Sequence, residues 1–278
     1  MSEGLRSACV IGWPVKHSRS PLIHNYWIKR YGISAAYRRE EVMPETFADF
    51  IATLAERGYV GANITLPHKE KALALSAPDD RARAVGAANT LWLEGGYLHS
   101  TNTDVEGFTA NLDTSVPGWD AHPGEAVVLG AGGAARAVVC GLIARGFARI
   151  HVVNRTLGRA EALRACFGAG IHPTHWAAVP HLLTRASVLV NTTSLGMTGQ
   201  PALDIDLAAL HKDAMVADIV YMPLTTPLLI AARTRGLATA DGLGMLLHQA
   251  VRGFVLWFGV RPEVTVELRA LVEADLRT

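Results

Sequence analysis

Three clusters of polar residues each follow an apolar segment, and together they carry the residue types needed for acid–base chemistry. The clusters are His17-Ser18-Arg19-Ser20-Pro21, Asn63-Ile64-Thr65-Leu66-Pro67-His68-Lys69 and Ser100-Thr101-Asn102-Thr103-Asp104. Open α/β sheets bind ligands beyond the carboxyl ends of their strands, so polar residues at these places favour a binding site. Lys69 and Asp104 could act on one alcohol oxygen, because the lysine donates to a lone pair and the aspartate accepts the proton. Such a pair would supply the proton that reduction of a ketone requires.

Each of these residues also has a structural explanation. A lysine at the start of a helix is poorly placed in the field of the helix dipole, yet a solvated Lys69 remains an alternative. Asp104 alone could be the N-cap of a helix. Ser18 and Ser20 precede or flank Pro21, which suits the first position of a helix, so one serine could cap that helix. One cap is enough, and the second serine keeps ligand binding open as an equal alternative.

A glycine-rich turn in the middle of the chain predicts a dinucleotide site. The apolar run Ala126–Leu129 reads as a buried strand, and Gly130, Gly132 and Ala135 then give G-x-G-x-x-A before a helix. The first glycine permits a tight turn, the second admits a pyrophosphate, and Ala135 allows close helix packing. The helix N-terminus would offer N–H groups and a positive dipole to the phosphates. The alternative is a glycine turn that binds nothing.

The end of the following strand indicates which dinucleotide is bound. NAD-binding domains usually carry Asp or Glu there, whereas this chain has Asn154-Arg155-Thr156 and then Arg159. A guanidinium can fork onto the 2′-phosphate of NADP. We therefore expect NADP, with two solvated arginines as the alternative.

Composition excludes several other classes of protein. The chain has 278 residues, 50% hydrophobic and 18% charged, with a net charge of +1, which gives no electrostatic case for nucleic acid or an anionic membrane. It contains no apolar run of ~18 residues and no signal-peptide pattern at its start. The three cysteines are far apart and predict reduced, buried thiols and a cytoplasmic protein. The eleven histidines form no metal motif.

Alternating strand and helix patterns predict two α/β domains around a cleft, of which the second is a Rossmann-type, doubly wound parallel sheet. More than a hundred residues precede the glycine turn, so we expect 1–113 to bind the substrate and to catalyse the reaction. A Pro- and Gly-containing segment, 114–124, reads as the linker to an NADP-binding domain over 125–240. Helices over 241–278 are expected to return to the substrate domain. The predicted strands of the second domain lie near Val127, Ile150, Val188, Val216 and Leu237. In the first domain, 45–57 reads as an amphipathic helix and Glu94-Gly95-Gly96 as the turn of a hairpin.

The chain resembles the shikimate dehydrogenase family over nearly its full length. The resemblance is carried, in order, by HSRSP, NITLPHK, GAANT, TNTD, GAGGAAR, NRT, NTTSLGM, DIVY and DGLGMLLHQA. In combination these motifs are specific, although the glycine turn alone is not. The resemblance implies reversible reduction of 3-dehydroshikimate to shikimate with NADPH, toward chorismate and the aromatic amino acids.

The resemblance also implies roles for individual residues. Lys69 and Asp104 are implied to be catalytic and also to contact the substrate. The substrate carboxylate is implied to be bound by Ser18, Ser20, Thr65 and Tyr221. The ring hydroxyls are implied to be bound by Asn89, Asp104 and Gln249. The pyrophosphate is implied to lie against Gly130, Gly132, Gly133 and Ala134. The 2′-phosphate side comprises Asn154, Arg155, Thr156 and Arg159, and the nicotinamide side comprises Thr192, Met197 and Gly244.

Three positions depart from the family pattern without removing a catalytic group. Val105 follows Asp104 where glycine is frequent, Met222 follows Tyr221 where asparagine is common, and Gly253 replaces a usual alanine. The alternatives are a quinate/shikimate or aminoshikimate dehydrogenase of the same fold, or a catalytically silent NADP-binding regulator. Ser18, Ser20 and Arg155 count against a quinate enzyme, and the intact catalytic pair counts against a regulator.

Overall fold

The computed structural model describes residues 6–277, which form two compact units. The first unit includes the chain up to Thr103 and from Gln249 onward, and the second unit is Asp104–His248. Each unit contains one six-stranded sheet with helices, so the predicted α/β class is confirmed.

Residues 6–277 contain twelve strands, which are numbered in chain order. They are β1 (Arg6–Gly12), β2 (Ala35–Glu41), β3 (Tyr59–Ile64), β4 (Ala77–Pro78), β5 (Thr90–Glu94), β6 (Tyr97–Thr101), β7 (Glu125–Leu129), β8 (Arg149–Val153), β9 (Ile171–Thr174), β10 (Ala186–Asn191), β11 (Met215–Asp218) and β12 (Ala238–Ala240). The helices are α1 (Ser20–Arg30), α2 (Phe47–Ala52), α3 (Lys69–Ala74), α4 (Asp80–Val85), α5 (Asp104–Ser115), α6 (Gly133–Ala144), α7 (Leu157–Phe167), α8 (Val179–Leu183), α9 (Pro227–Thr234), α10 (Gly242–Phe258) and α11 (Val266–Asp275), with a 3-10 turn at Trp176–Ala178 before α8.

The first sheet is mixed, with strand order β2-β1-β3-β5-β6-β4. Strand β1 pairs in parallel with β2 and β3, whereas β5 pairs antiparallel with both β3 and β6. The hairpin predicted around Gly95 and Gly96 is confirmed, because Glu94 of β5 pairs with Tyr97 of β6. The loops that follow β1 and β3 therefore start at the same end of the sheet, since the two strands are parallel neighbours.

The second half of α10 packs on this first sheet through aromatic side chains. Trp257 donates a hydrogen bond from its indole nitrogen to the carbonyl oxygen of Leu91 at 2.8 Å. A Cβ on Gly61 of β3 would overlap both Trp257 and the Leu91 carbonyl, so glycine is required for this approach. Glycine at position 253 is explained by the same tryptophan, because a Cβ there would lie 2.9 Å from the Trp257 ring. The departure from alanine at position 253 thus accompanies the packing of this tryptophan.

The second sheet is parallel throughout, with strand order β12-β11-β10-β7-β8-β9. This is the doubly wound order, and its direction of winding reverses between β7 and β10. Successive residues of β7 enter two different hydrophobic clusters, Val128 on one face and Val127 on the other. Both faces are therefore covered by helices, which explains why β7 is a continuous apolar run.

Some expectations differ from the structure. Strand β9 was not predicted, because Pro173 lies within it; as the edge strand next to β8, it tolerates a residue that cannot donate to the ladder. Helix α5, which the prediction placed in the substrate domain, belongs to the second unit. A Cβ on Gly141 of α6 would lie 3.1–3.2 Å from Thr109 and Phe108 of α5, so a glycine in α6 permits this close helix pairing.

The prediction that all three thiols are buried holds for Cys9 and was wrong for Cys140 and Cys166. No disulfide joins the three cysteines, which all lie within residues 6–277; Cys9 is buried, Cys140 is half-buried and Cys166 is exposed on α7. Helical spacing alone did not distinguish the exposed face of α7 from its buried face. Within residues 6–277, no helix combines the length and the hydropathy that crossing a membrane requires.

Candidate active site

The first cluster spans the loop between β1 and α1, with Ser18 in the loop and Ser20 in the helix. Ser20 is the first residue of α1 and is buried, while the N-cap position is taken by Arg19 rather than by a serine. The backbone N–H of Ser20 donates to the Ser18 hydroxyl oxygen at 3.3 Å. Ser18 thus stabilises the turn into the helix through its lone pair, which leaves its hydroxyl hydrogen as a donor. The expected capping alternative is not the arrangement found at α1.

Thr65 and Lys69 follow β3, beside the end of β1. A Cβ on Gly12 would overlap the Thr65 side chain, so the glycine lets the two loops approach each other. The Trp13 N–H donates to the carbonyl of Leu66 at 3.0 Å and holds the loops together. Lys69 is the first residue of α3 and is half-buried, and its carbonyl accepts from Ala88 N–H at 2.9 Å. This bond places Lys69 beside the segment that carries Asn89.

His68 fixes the start of α3 and was not assigned a role from the sequence. Its ring is buried, stacks on Phe47 with centroids 4.3 Å apart, and has Nε2 2.7 Å from the carbonyl of Val42. Burial lowers the pKa of His68, so the ring is neutral at neutral pH and donates to that carbonyl. His68 therefore anchors the backbone from which the Lys69 side chain extends.

Asn89 lies in a buried set of hydrogen-bonded polar residues. Its side-chain oxygen accepts from the Thr103 N–H at 2.7 Å and is 3.1 Å from the Thr90 hydroxyl. The Thr103 hydroxyl is also 3.4 Å from the Gln249 side-chain oxygen, which brings two predicted substrate residues to one threonine. Protein donors thus orient the Asn89 amide, with its oxygen toward Thr103. Asn63 joins the set by donating to Thr90 at 3.1 Å.

Asp104 is the first residue of α5 rather than its N-cap. Its carboxylate lies in the first helical turn, where the dipole of the 12-residue helix stabilises a negative charge. The division into units falls between Thr103 and Asp104, so Lys69 belongs to the first unit and Asp104 opens the second.

The glycine turn has the conformation that a phosphate site requires. Gly130 has φ +104°, and a Cβ there would lie 2.7 Å from the Thr192 hydroxyl oxygen. Gly132 is the N-cap of α6 and Gly133 its first residue. Apart from the chain neighbours and the backbone of α6 itself, no residue that the structure describes has an atom within 4 Å of a Cβ built at either glycine. Open space next to the N–H groups of a helix N-terminus fits a pyrophosphate.

The end of β8 lies directly beside this turn. The Gly130 N–H donates to the carbonyl of Val153, the last residue of β8, at 2.7 Å. Asn154 donates from its amide nitrogen to the Thr156 carbonyl at 2.9 Å and so shapes the turn into α7. Arg155 and Arg159 are exposed, and the first turn of α7 reads Leu157-Gly158-Arg159, without a carboxylate. This donor set fits a phosphate better than a ribose hydroxyl.

A buried carboxylate that the sequence reasoning missed organises the loops after β10 and β11. Asp218 accepts hydrogen bonds from Asn191 at 2.9 Å, Val220 N–H at 3.0 Å and Thr226 at 2.7 Å. Burial raises the pKa of Asp218, and the three hydrogen bonds oppose that rise. The DIVY motif held the signal, since an aspartate at the end of an apolar strand needs partners.

Through these hydrogen bonds, Asp218 connects the loop after β10, which carries Met197, to the loop after β11, which carries Tyr221. A backbone bond from Thr198 N–H to the Met222 carbonyl at 2.8 Å joins these loops directly. Met197 is exposed and Tyr221 is half-buried.

Gly244 has a packing reason as well as its predicted cofactor role. A Cβ on Gly244 would overlap the side-chain oxygen of Asn111 in α5. Asn111 in turn donates to the Asp241 carbonyl at 2.7 Å and fixes the start of α10. Among residues 6–277, no group of three or more His, Cys, Asp or Glu side chains is placed to hold a metal ion.

Comparison with known proteins identifies the family of the chain. Residues 10–91 match the shikimate dehydrogenase substrate binding domain, 116–230 match the shikimate / quinate 5-dehydrogenase model, and 242–271 match the shikimate 5′-dehydrogenase C-terminal domain. A shikimate dehydrogenase (NADP(+)) from Nitrobacter hamburgensis is 65% identical over 98% of this chain and 95% of its own length. The chain belongs to the shikimate dehydrogenase family. The resemblance seen in the motifs is thus confirmed.

Solved structures of the shikimate dehydrogenase family share the fold of this chain. A shikimate 5-dehydrogenase from Thermus thermophilus in complex with NADP(H) and shikimate is 32% identical, with a TM-score of 0.84 over 98% of this chain and 99% of that one. A quinate dehydrogenase from Corynebacterium glutamicum in complex with NAD is 30% identical, with a TM-score of 0.88 over 97% and 99%. Both neighbours are similar in fold, so the choice of substrate depends on individual side chains.

Proposed function

We propose that this member of the shikimate dehydrogenase family catalyses the reversible, NADP-dependent reduction of 3-dehydroshikimate to shikimate in chorismate and aromatic amino-acid biosynthesis. The observation that carries the proposal is the lysine at the start of α3, fixed by His68 beside the hydrogen-bonded Asn89 and Thr103. Relatives that are 64–65% identical over nearly the full chain bear the name shikimate dehydrogenase (NADP(+)).

Lys69 and Asp104 are the proposed catalytic residues. NADPH, when bound, supplies the hydride for the carbonyl carbon. The Lys69 Nζ donates a proton to the carbonyl oxygen, and in the reverse direction the neutral amine accepts the hydroxyl proton. The Asp104 carboxylate hydrogen-bonds the same hydroxyl and balances the lysine charge. A positioned acid–base group of this kind contributes about 10²–10⁴ in rate.

The proposed substrate contacts are neutral donors and amides. Ser18, Ser20 and Thr65 donate hydrogen bonds to the carboxylate, helped by Tyr221. Asn89 and Gln249 bond the ring hydroxyls, and their common neighbour Thr103 supports both amides.

The residues of the second unit fit NADP. Gly130, Gly132, Gly133 and Ala134 would hold the pyrophosphate, and Asn154, Arg155, Thr156 and Arg159 would hold the 2′-phosphate. Thr192, Met197 and Gly244 would line the nicotinamide. Two observations support this assignment: the open space at Gly132 and Gly133, and the absence of an acidic residue from the first turn of α7, where the arginines lie.

The domain roles follow from these contacts. We propose substrate binding and catalysis for residues 1–113, although 104–113 fold with the second unit, NADP binding for residues 125–240, and support of the substrate site for residues 241–278. A cytoplasmic location is proposed from the reduced cysteines.

A steady-state assay that follows NADPH absorbance with 3-dehydroshikimate tests the proposed function. Quinate with NAD is the second substrate pair, because the Corynebacterium quinate dehydrogenase has the same fold. Turnover of shikimate with NADP, well above turnover of quinate with NAD, is the expected result. A preference for quinate would favour the sister enzyme, and no turnover of any pair would favour a silent NADP-binding protein.

A further inference from the structure

We propose that Arg39, together with the ion pair between Arg19 and Asp275, positions Ser18 and Ser20 and so sets the affinity for the substrate carboxylate. This inference rests on the proposed function, because it concerns how the serine site of that function is held. The serine loop, residues 13–19, connects β1 to α1. Loops of this length hold a ligand group in place only when other elements anchor them.

The first anchor is a forked contact from β2 to the backbone of Ser18. Arg39 donates to the Ser18 carbonyl oxygen from Nε at 3.2 Å and from Nη2 at 2.8 Å. A cationic donor on a carbonyl is stronger than a neutral one, and two N–H groups fix direction as well as distance. Since the carbonyl and the side chain belong to the same residue, this contact limits where the Ser18 hydroxyl can lie.

The second anchor joins the next residue to the last helix. Arg19 Nε lies 2.5 Å from Asp275 Oδ2, and Arg19 Nη2 donates to the Asp275 carbonyl at 3.4 Å. Arg19 Nη1 also donates to the His17 carbonyl at 3.0 Å, so the guanidinium links the loop to the C-terminal end of α11. The Arg19 side chain is 17% exposed and that of Asp275 is 43% exposed.

The two anchors hold consecutive residues, Ser18 and Arg19, directly before Ser20. Arg39 holds residue 18 from one side, and Arg19 occupies the N-cap position between Ser18 and Ser20. The Ser20 N–H then bonds the Ser18 hydroxyl oxygen, which transmits the constraint from one serine to the other. Neutral hydroxyls bind a carboxylate only through good geometry, so their affinity depends on this preorganisation.

The serines bind the substrate carboxylate rather than the carbonyl group that reacts, so loosening the serine loop weakens binding with little effect on chemistry. A loss of uniform binding raises KM and leaves kcat nearly unchanged. We expect Arg39→Gln to raise the KM for shikimate about tenfold, because it removes a charged donor pair from a carbonyl. Asp275→Asn should raise it about threefold, the scale of a half-exposed ion pair. The KM for NADP should change by less than about twofold in both variants.

Matched controls separate positioning from general destabilisation. Glu273→Gln removes another ion pair of α11, in which Glu273 Oε1 lies 2.8 Å from Arg269 Nε, and should leave both KM values unchanged. Arg38→Gln removes the neighbouring exposed arginine of β2 and should do the same. Arg39→Lys keeps the charge without the forked geometry and should recover part of the lost affinity.

A double-mutant cycle provides the decisive measurement. In a Ser18→Ala background, Arg39→Gln should cause little further rise in KM, since the group that it positions has gone. A full additional rise in that background, or an unchanged KM in the single variants, would overturn the inference. These outcomes are read against the unmodified enzyme, whose failure to oxidise shikimate would instead reject the proposed function.

Discussion

Replacing Arg155 by alanine tests whether the end of β8 selects NADP over NAD. Arg155 and Arg159 are exposed at the N-terminal end of α7, where Thr156 occupies the N-cap position. The helix dipole and both guanidinium groups therefore favour an anion at the same place. NAD has no 2′-phosphate, so the loss of Arg155 should affect only NADP.

The magnitude follows from the exposure of the arginine. A hydrogen bond to a charged group contributes about 1.5–3 kcal/mol, and solvent screening at an exposed residue places Arg155 at the lower end of that range. We therefore expect NADP affinity to fall about tenfold, since ~1.4 kcal/mol is one decade. Arg159 retains part of the attraction, so the double replacement of both arginines should cost more than either alone.

The assay compares the KM for NADP and for NAD at fixed, saturating shikimate. Arg164→Ala is the matched control, because Arg164 is an exposed arginine in the last turn of the same helix. It should leave both cofactor constants unchanged. Equal losses for NADP and NAD in Arg155→Ala, or the same loss in the control, would refute the assignment of the 2′-phosphate site.

Three further predictions address catalysis, specificity and packing. Lys69→Ala should lower kcat by about 10²–10⁴ while the Kd for NADPH stays within about twofold; a near-normal kcat would contradict its role as the proton donor. The kcat/KM for shikimate should exceed that for quinate by at least about tenfold, because the extra hydroxyl of quinate crowds Ser18; comparable values would favour the sister enzyme. Gly61→Ala should lower the free energy of unfolding by about 1–3 kcal/mol in urea titrations, because a Cβ there overlaps Trp257 and the Leu91 carbonyl; an unchanged midpoint would show that α10 can shift without cost.

Local patterns predicted most of the second sheet, because its central strands are apolar runs bounded by turn residues. Ala126–Leu129 followed by the glycine turn identified β7 and α6, and the hairpin around Gly95 was equally clear. The failures have local causes. Pro173 obscured the edge strand β9, and the predicted helix over 45–57 shortens to α2 (Phe47–Ala52), with a turn that ends at Gly58.

Local sequence patterns could not predict side-chain contacts between residues that are distant in the chain. The role of Asp218 depends on Asn191 and Thr226, which reach it from other segments, and that of His68 depends on Phe47 and Val42. A buried polar group must find partners, but the sequence does not say which ones.

The sequence by itself determined the family and the fold class, and it predicted NADP binding and the residues that we propose to carry the chemistry. It did so because motifs such as NITLPHK and GAGGAAR are short, and their physical requirements lie within a few neighbouring residues. Only the tertiary structure decided what supports those residues: Arg39 and Asp275 at the serine loop, and Thr103 between Asn89 and Gln249. These contacts join residues up to 256 positions apart, and side-chain packing of that range follows from the completed fold rather than from local pattern.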